Sequence, residues 1–294
     1  MTTSILLGDR PGQAHTPVSY LHLTGLGTPI LLVHGVGASL GSWEEIPFGL
    51  RAAGRAVVAV DLLGHGSSGS LGDYSLEANA SMLRQLLDHL GIDRVHLVGH
   101  SLGGGVAMQF AFEEPQRVSS LTLISSGGLG TEVSYSMRAA VLPGSGHVIR
   151  VITHRIITDP MRRVVAWFAE RGHRSRDFNE RSVTTLEGLQ HPGRLAAFIG
   201  SLRSVIGLKG QRITVLDRLE ILDPSRLLII WGERDPMLPV RHGRTMEELL
   251  PGTRLVVLAQ SGHEPHADEP QRVIAEILAH TSPGLPDWAP PSAT

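Results

Sequence analysis

Short apolar runs alternate with helical patterns along most of this chain, and that alternation limits the fold more than any other feature. Residues 29–33, 55–60 and 95–98 are Val/Ile/Leu-rich without polar alternation, as strands covered on both faces require. Between the second and third runs, Leu76, Ala80, Leu83, Leu87 and Leu90 recur at helical spacing. Ser75 is placed to cap that helix and Gly91 to end it. A helix follows Ser101, and residues 120–125 return as a strand. The pattern resumes at 226–231, with a helix near 241–250, a strand at 254–259 and a closing helix from about 269 to 280. Strand and helix in alternation predict an α/β fold, a parallel sheet wrapped by helices.

The alternation lapses from about residue 127 to residue 218. Asp159-Pro160 reads as a cap followed by proline at the first helical position, with Val164, Val165 and Phe168 before Gly172. Phe198, Ile199, Leu202 and Ile206 suggest a second amphipathic helix. Charge separates this stretch from the rest: residues 131–218 carry 14 Lys/Arg against 7 Asp/Glu, or +7, while the remainder carries 12 against 21, or −9, for the total of −2. The organisation expected is a core in two parts, 1–127 and 219–282, an inserted helical lid at 128–218, and a proline-rich, mobile tail at 283–294.

Composition removes several function classes. With no cysteine among 294 residues, thiolate catalysis, thiolate metal sites and disulfides are ruled out. Net charge near neutral and the lack of any nucleic-acid-reading motif argue against a nucleic-acid partner. No run approaches the roughly 18 apolar residues of a membrane span. The first residues lack a basic leader pattern, so a cytoplasmic address is expected.

Chemistry enters at Gly99-His100-Ser101-Leu102-Gly103, where an apolar strand gives way to a helix. A serine between two glycines at such a turn stands clear of a strained bend, making Ser101 the candidate nucleophile. A serine hydroxyl needs a base, an acid to orient that base, and donors for the developing oxyanion. Asp235 follows the strand at 226–231, and His263 follows the strand at 254–259. All three thus lie beyond the carboxyl ends of parallel strands, the edge where open α/β sheets bind ligands. Glu233 competes with Asp235 as the acid. His266 competes with His263 but reads as a loop or lid-facing residue, because only His263 directly follows a glycine. His34 and His100 read as structural, holding loops by hydrogen bonds.

The chain resembles the α/β-hydrolase superfamily. The matching segments are HGVG at 34–37 with Trp43, DLLGHGSS at 61–68, GHSLGG at 99–104, GERDPMLP at 232–239 and SGHEPHADEP at 261–270. The resemblance implies a doubly wound, mostly parallel eight-stranded sheet, with Ser101 as nucleophile, His263 as base and Asp235 as orienting acid. It also implies an oxyanion hole from the backbone N–H groups of Val36 and Leu102, with Gly35 shaping the substrate side. Haloalkane dehalogenases and epoxide hydrolases of this fold use aspartate at the elbow, so Ser101 points to acyl chemistry instead.

The function expected is a lidded serine hydrolase of small esters or related acyl compounds, working through an acyl-enzyme with no metal or organic cofactor. Met137, Trp167, Phe168 and Phe198 are candidate lining for its acyl pocket, although such spacing also suits the core of a lid. Carbon-carbon bond hydrolases of ring-fission diketones look similar in their glycine motifs. They usually carry tryptophan directly after the catalytic histidine, where this chain has Glu264. Two other readings are a cofactor-free perhydrolase of the haloperoxidase kind and a ligand-binding relative without turnover. Arginines in the insertion offer bidentate partners for a substrate carboxylate.

Overall fold

The computed structural model describes residues 2–7, 16–154 and 188–282. The expected helix after Asp159-Pro160, the lining candidates Trp167 and Phe168, and the tail at 283–294 lie outside them. In chain order the described strands are β1 (Thr2–Leu7), β2 (Thr16–Leu23), β3 (Leu26–Val33), β4 (Arg55–Val60), β5 (Val95–His100), β6 (Val118–Ile124), a small hairpin of β7 (Ile206–Gly207) and β8 (Gly210–Gln211), β9 (Leu227–Gly232) and β10 (Arg254–Leu258). The helices are α1 (Ile46–Ala52), α2 (Leu76–His89), α3 (Leu102–Glu113), α4 (Tyr135–Ala140), α5 (Ser145–Ile152), α6 (Pro192–Val205), α7 (Arg241–Leu249), α8 (Pro265–Asp268) and α9 (Pro270–His280).

Eight strands form one sheet in the order β1-β2-β4-β3-β5-β6-β9-β10. β2 pairs antiparallel with both β1 and β4, and every other pairing in the sheet is parallel. The central strands are mainly apolar because both faces are covered, and successive side chains alternate between two cores. Leu31, Val33, Val58, Val60, Leu97 and Leu121 point to the side packed by α2 and α3. Ile30, Leu32, Val57, Ala59, Val98 and Leu228 point to the side packed by Trp43, α1 and α9. Ser75 caps α2 by accepting from the N–H of Ala78, and Gly91 follows the helix at φ +64°, a left-handed conformation that suits glycine.

Between β6 and β9 the chain leaves the sheet for α4, α5 and α6, where Ile149, Leu189, Leu195 and Ile199 form a separate small apolar cluster. This segment rests on the core through α6: Arg194 donates to the carbonyl oxygen of Gly66 at 3.0 Å. Among the described residues no helix is long and apolar enough to cross a membrane.

Candidate active site

β5 ends at His100, and the chain turns at Ser101 into α3. Ser101 has φ +53° and ψ −116°, a strained backbone for a residue with a side chain. The flanking glycines make the bend sterically feasible. A Cβ on Gly103 would run into the carbonyl oxygen of Val33, and one on Gly99 into the carbonyl of Gly103. The Ser101 N–H donates to the Ile124 carbonyl at 3.0 Å, which ties the bend to the end of β6.

Three side chains separated by up to 162 positions meet at this rim. The Ser101 hydroxyl donates to Nε2 of His263 at 3.0 Å, and Nδ1–H of His263 donates to Oδ2 of Asp235 at 2.8 Å. The other Asp235 oxygen accepts from the N–H groups of Met237 at 2.8 Å and Leu238 at 3.0 Å. Burial pushes the Asp235 carboxyl up, but the His263 bond, the His263 charge and those two N–H donors outweigh it and hold the group below its usual range. A hydroxyl facing an imidazole whose far nitrogen is held by a carboxylate is an arrangement that can move a proton from oxygen to nitrogen.

Glu233 stands outside this hydrogen-bonded line. It turns outward and pairs with Arg244 at 2.6 Å. His266 corrects the sequence reading: instead of facing a loop or the insertion, its ring is 1 % exposed, packed 4.8 Å from Trp43 and 4.5 Å from His100 between ring centroids. Pro265 starts α8 at this point and turns the ring into the core.

His34 holds two loops together. Nδ1–H donates to the Gly35 carbonyl at 2.7 Å, and Nε2 accepts the Leu62 N–H at 3.0 Å. Burial first, then the nearby His65, push its pKa down to about 3, against the opposing Gly35 bond. The tautomer is therefore fixed and neutral. Gly35 lies against the elbow, where a Cβ would come within 2.9 Å of His100 Nδ1 and 3.1 Å of Ser101 Cβ. Val36 follows it, half-buried, and Leu102 opens α3, whose first N–H groups lack acceptors within the helix.

Met137 is buried in the main core and Phe198 packs against both that core and the insertion's own cluster. A cavity of about 440 Å³ runs along α3, with Leu102, Gly105, Met108, Gly127 and Val215 in its wall; it touches the elbow from the α3 side, and neither Met137 nor Phe198 lines it. Among the described residues no group of three or more His, Asp or Glu side chains is placed to hold a metal ion. Sequence reading also passed over Met237, whose N–H meets the Asp235 carboxylate; a backbone contact of this kind leaves no residue-type signal.

Residues 28–146 match the model of the α/β-hydrolase fold family. The chain belongs to that family. Its relatives include an uncharacterized protein of Mycobacterium tuberculosis, 38 % identical over 274 residues that make up 91 % of this chain and 80 % of that one. Another is the 2-hydroxy-6-oxo-6-phenylhexa-2,4-dienoate hydrolase of Burkholderia cepacia, 28 % identical, with 89 % of this chain and 91 % of that protein covered. A thermophilic esterase of Thermogutta terrifontis, solved with malate bound, shares the fold at a TM-score of 0.71 and 24 % identity, over 95 % of this chain and 97 % of that one.

Proposed function

We propose that this protein is a serine hydrolase of small esters or related acyl compounds. The observation that carries the reading is the continuous hydrogen-bonded line from Ser101 through His263 to Asp235. As the Ser101 oxygen attacks the substrate carbonyl carbon, its proton passes to Nε2 of His263. Asp235 holds the ring in the tautomer that can accept it and stabilises the imidazolium. The carbonyl oxygen becomes an oxyanion, received by the N–H groups of Val36 and Leu102, the second aided by the amino end of α3. The C–O bond to the leaving alcohol then breaks, the alcohol takes the proton from His263, and an acyl-Ser101 ester remains. Water enters, gives a proton to His263, attacks the acyl carbon and releases the acid, and the proton returns to Ser101. Each step uses groups of the chain itself.

The insertion at 128–218 acts in this reading as a lid over the rim, and the protein works in the cytoplasm on a small-molecule substrate. The named activity of the Burkholderia relative favours a second reading, carbon-carbon bond hydrolysis of a ring-fission diketone. Glu264, where those enzymes usually carry tryptophan, favours the ester reading. A panel of p-nitrophenyl esters assayed beside a chromogenic ring-fission diketone separates the two. Ester turnover that disappears in Ser101→Ala is expected, and turnover of the diketone alone would replace the first reading with the second.

A further inference from the structure

Glu132 sits at the root of the insertion, a few residues beyond β6, and is clamped to the segment that carries Asp235. Its carboxylate accepts Nε2–H of His242 at 2.6 Å, and the Arg241 guanidinium at 3.0 and 3.2 Å. Both partners open α7, directly after the 235–240 loop. The chain is shaped for this contact: a Cβ on Gly130 would overlap the His242 ring. The ring is 3 % exposed and meets Trp231 edge-on, and Trp231 Nε1–H donates to the Leu238 carbonyl at 3.1 Å. A second tether runs beside the first. The Ser134 N–H donates to the Met237 carbonyl at 2.9 Å, while the Met237 N–H donates to Asp235. The loop that presents Asp235 to His263 is therefore fixed from the root of the insertion at two points.

His242 is buried for this purpose at some cost. Burial first of all lowers its pKa; the Glu132 bond and charge and the Asp235 charge oppose that, and Arg241 adds to it. The ring is neutral, with Nε2–H given to Glu132 and Nδ1 buried without a hydrogen-bond partner. A buried polar atom without a partner is destabilising. On the other side, the His242 bond holds the Glu132 carboxyl down to about 2.

We propose that Glu132 is a positioning residue for the reaction: through His242 and Arg241 it sets the loop that aims Asp235 at His263. The proposal rests on the Ser101–His263–Asp235 reading for its kinetic consequence but not for its geometry. An ill-aimed Asp235 stabilises the His263 imidazolium less, so the ring's protonation moves to lower pH.

The test compares Glu132→Ala, Glu132→Gln and His242→Phe with the unaltered enzyme, by pH profiles of p-nitrophenyl ester hydrolysis and by the downfield proton resonance of His263 Nδ1–H. Glu132→Ala is expected to lower kcat roughly 10-fold with KM little changed, as a small misplacement of a reacting group would. Its acid limb should move down by about half a pH unit or more, and the resonance should shift. Glu132→Gln should recover most of kcat, because its amide oxygen still accepts from His242. His242→Phe keeps the ring volume without the bond and should reproduce the shift even where Glu132→Ala fails to fold. A folded Glu132→Ala or His242→Phe protein with the native acid limb and resonance would overturn the proposal, as would a lower melting temperature with an unmoved profile. A resonance that shifts in a protein that hydrolyses no ester would uphold the positioning and remove the ester reading instead.

Discussion

Nε2–H of His100 donates to the main-chain carbonyl of His263 at 2.8 Å, so the residue before the strained Ser101 holds the loop that carries the imidazole facing it. The two rings lie 5.0 Å apart between centroids. Burial first, then the His263 charge, press the His100 pKa down to about 3, and the neutral ring has its one proton committed to this bond.

Replacing His100 by Phe keeps most of the ring and removes the donor. The His263 carbonyl then loses its partner, a change that typically costs ~1–3 kcal/mol of stability. Loosening the imidazole should lower kcat for ester hydrolysis by roughly 10-fold at similar KM. Wild-type kcat in a folded His100→Phe protein would contradict this role.

Gly35 lacks room for a side chain on its elbow-facing side. In Gly35→Ala the new Cβ would press on His100 Nδ1 and Ser101 Cβ, at 2.9 and 3.1 Å, and would displace the turn that presents the Val36 N–H. Loss of one oxyanion donor costs on the order of 10²-fold in kcat. Steady-state kinetics should show that loss with the fold intact by circular dichroism; an unchanged kcat would remove Val36 from the oxyanion hole.

Asp235→Asn preserves shape but exchanges an acceptor for an amide that can donate to Nδ1. The His263 proton is then stabilised on Nε2, which can no longer accept from Ser101. A fall of roughly 10⁴-fold in kcat is expected, the size seen when a triad acid is so replaced. Glu233→Gln, which alters the outward pair with Arg244, should leave kcat within about twofold, in keeping with the small worth of surface ion pairs. The reverse ranking of these two variants would move the acid to Glu233.

Acid stability follows from the buried imidazoles. His34, His96 and His100 titrate near 6.5 when unfolded and are pushed down to about 3 in the fold, in each case chiefly by burial. Between those values the unfolded chain binds more protons than the folded one. Their contribution to stability is therefore intact above pH 6.5, declines as pH falls through that value, and is gone by about pH 3. Three protons correspond to a slope of up to ~4 kcal/mol per pH unit inside the window. Urea unfolding at pH 7 and pH 5 should show a marked loss at pH 5, reduced by about one proton's share in His100→Phe. Equal stabilities at the two pH values would contradict the neutral assignment.

The parallel strands were legible because burial on both faces writes them as predominantly apolar runs, as in residues 30–33 and 56–60. β2 was not read, since Pro17 and the polar Ser19 and His22 interrupt its pattern; the strand is fixed by pairing with β1 and β4, which local sequence does not encode. Ser101, Asp235 and His263 were legible as candidates because each follows a readable strand. His266 was misread because its neighbours Glu264, Asp268 and Glu269 make the segment look solvated, whereas α8 turns this one ring inward against Trp43. The Glu132–His242 clamp joins residues 110 positions apart, and nothing in either neighbourhood announces the other.

The most direct test of the account is covalent labelling with a fluorophosphonate, read by intact mass and peptide mapping. The account predicts a single adduct on Ser101, absent in Ser101→Ala and formed far more slowly in His263→Ala. An adduct mapped to another residue, or equal labelling of Ser101→Ala, would contradict it.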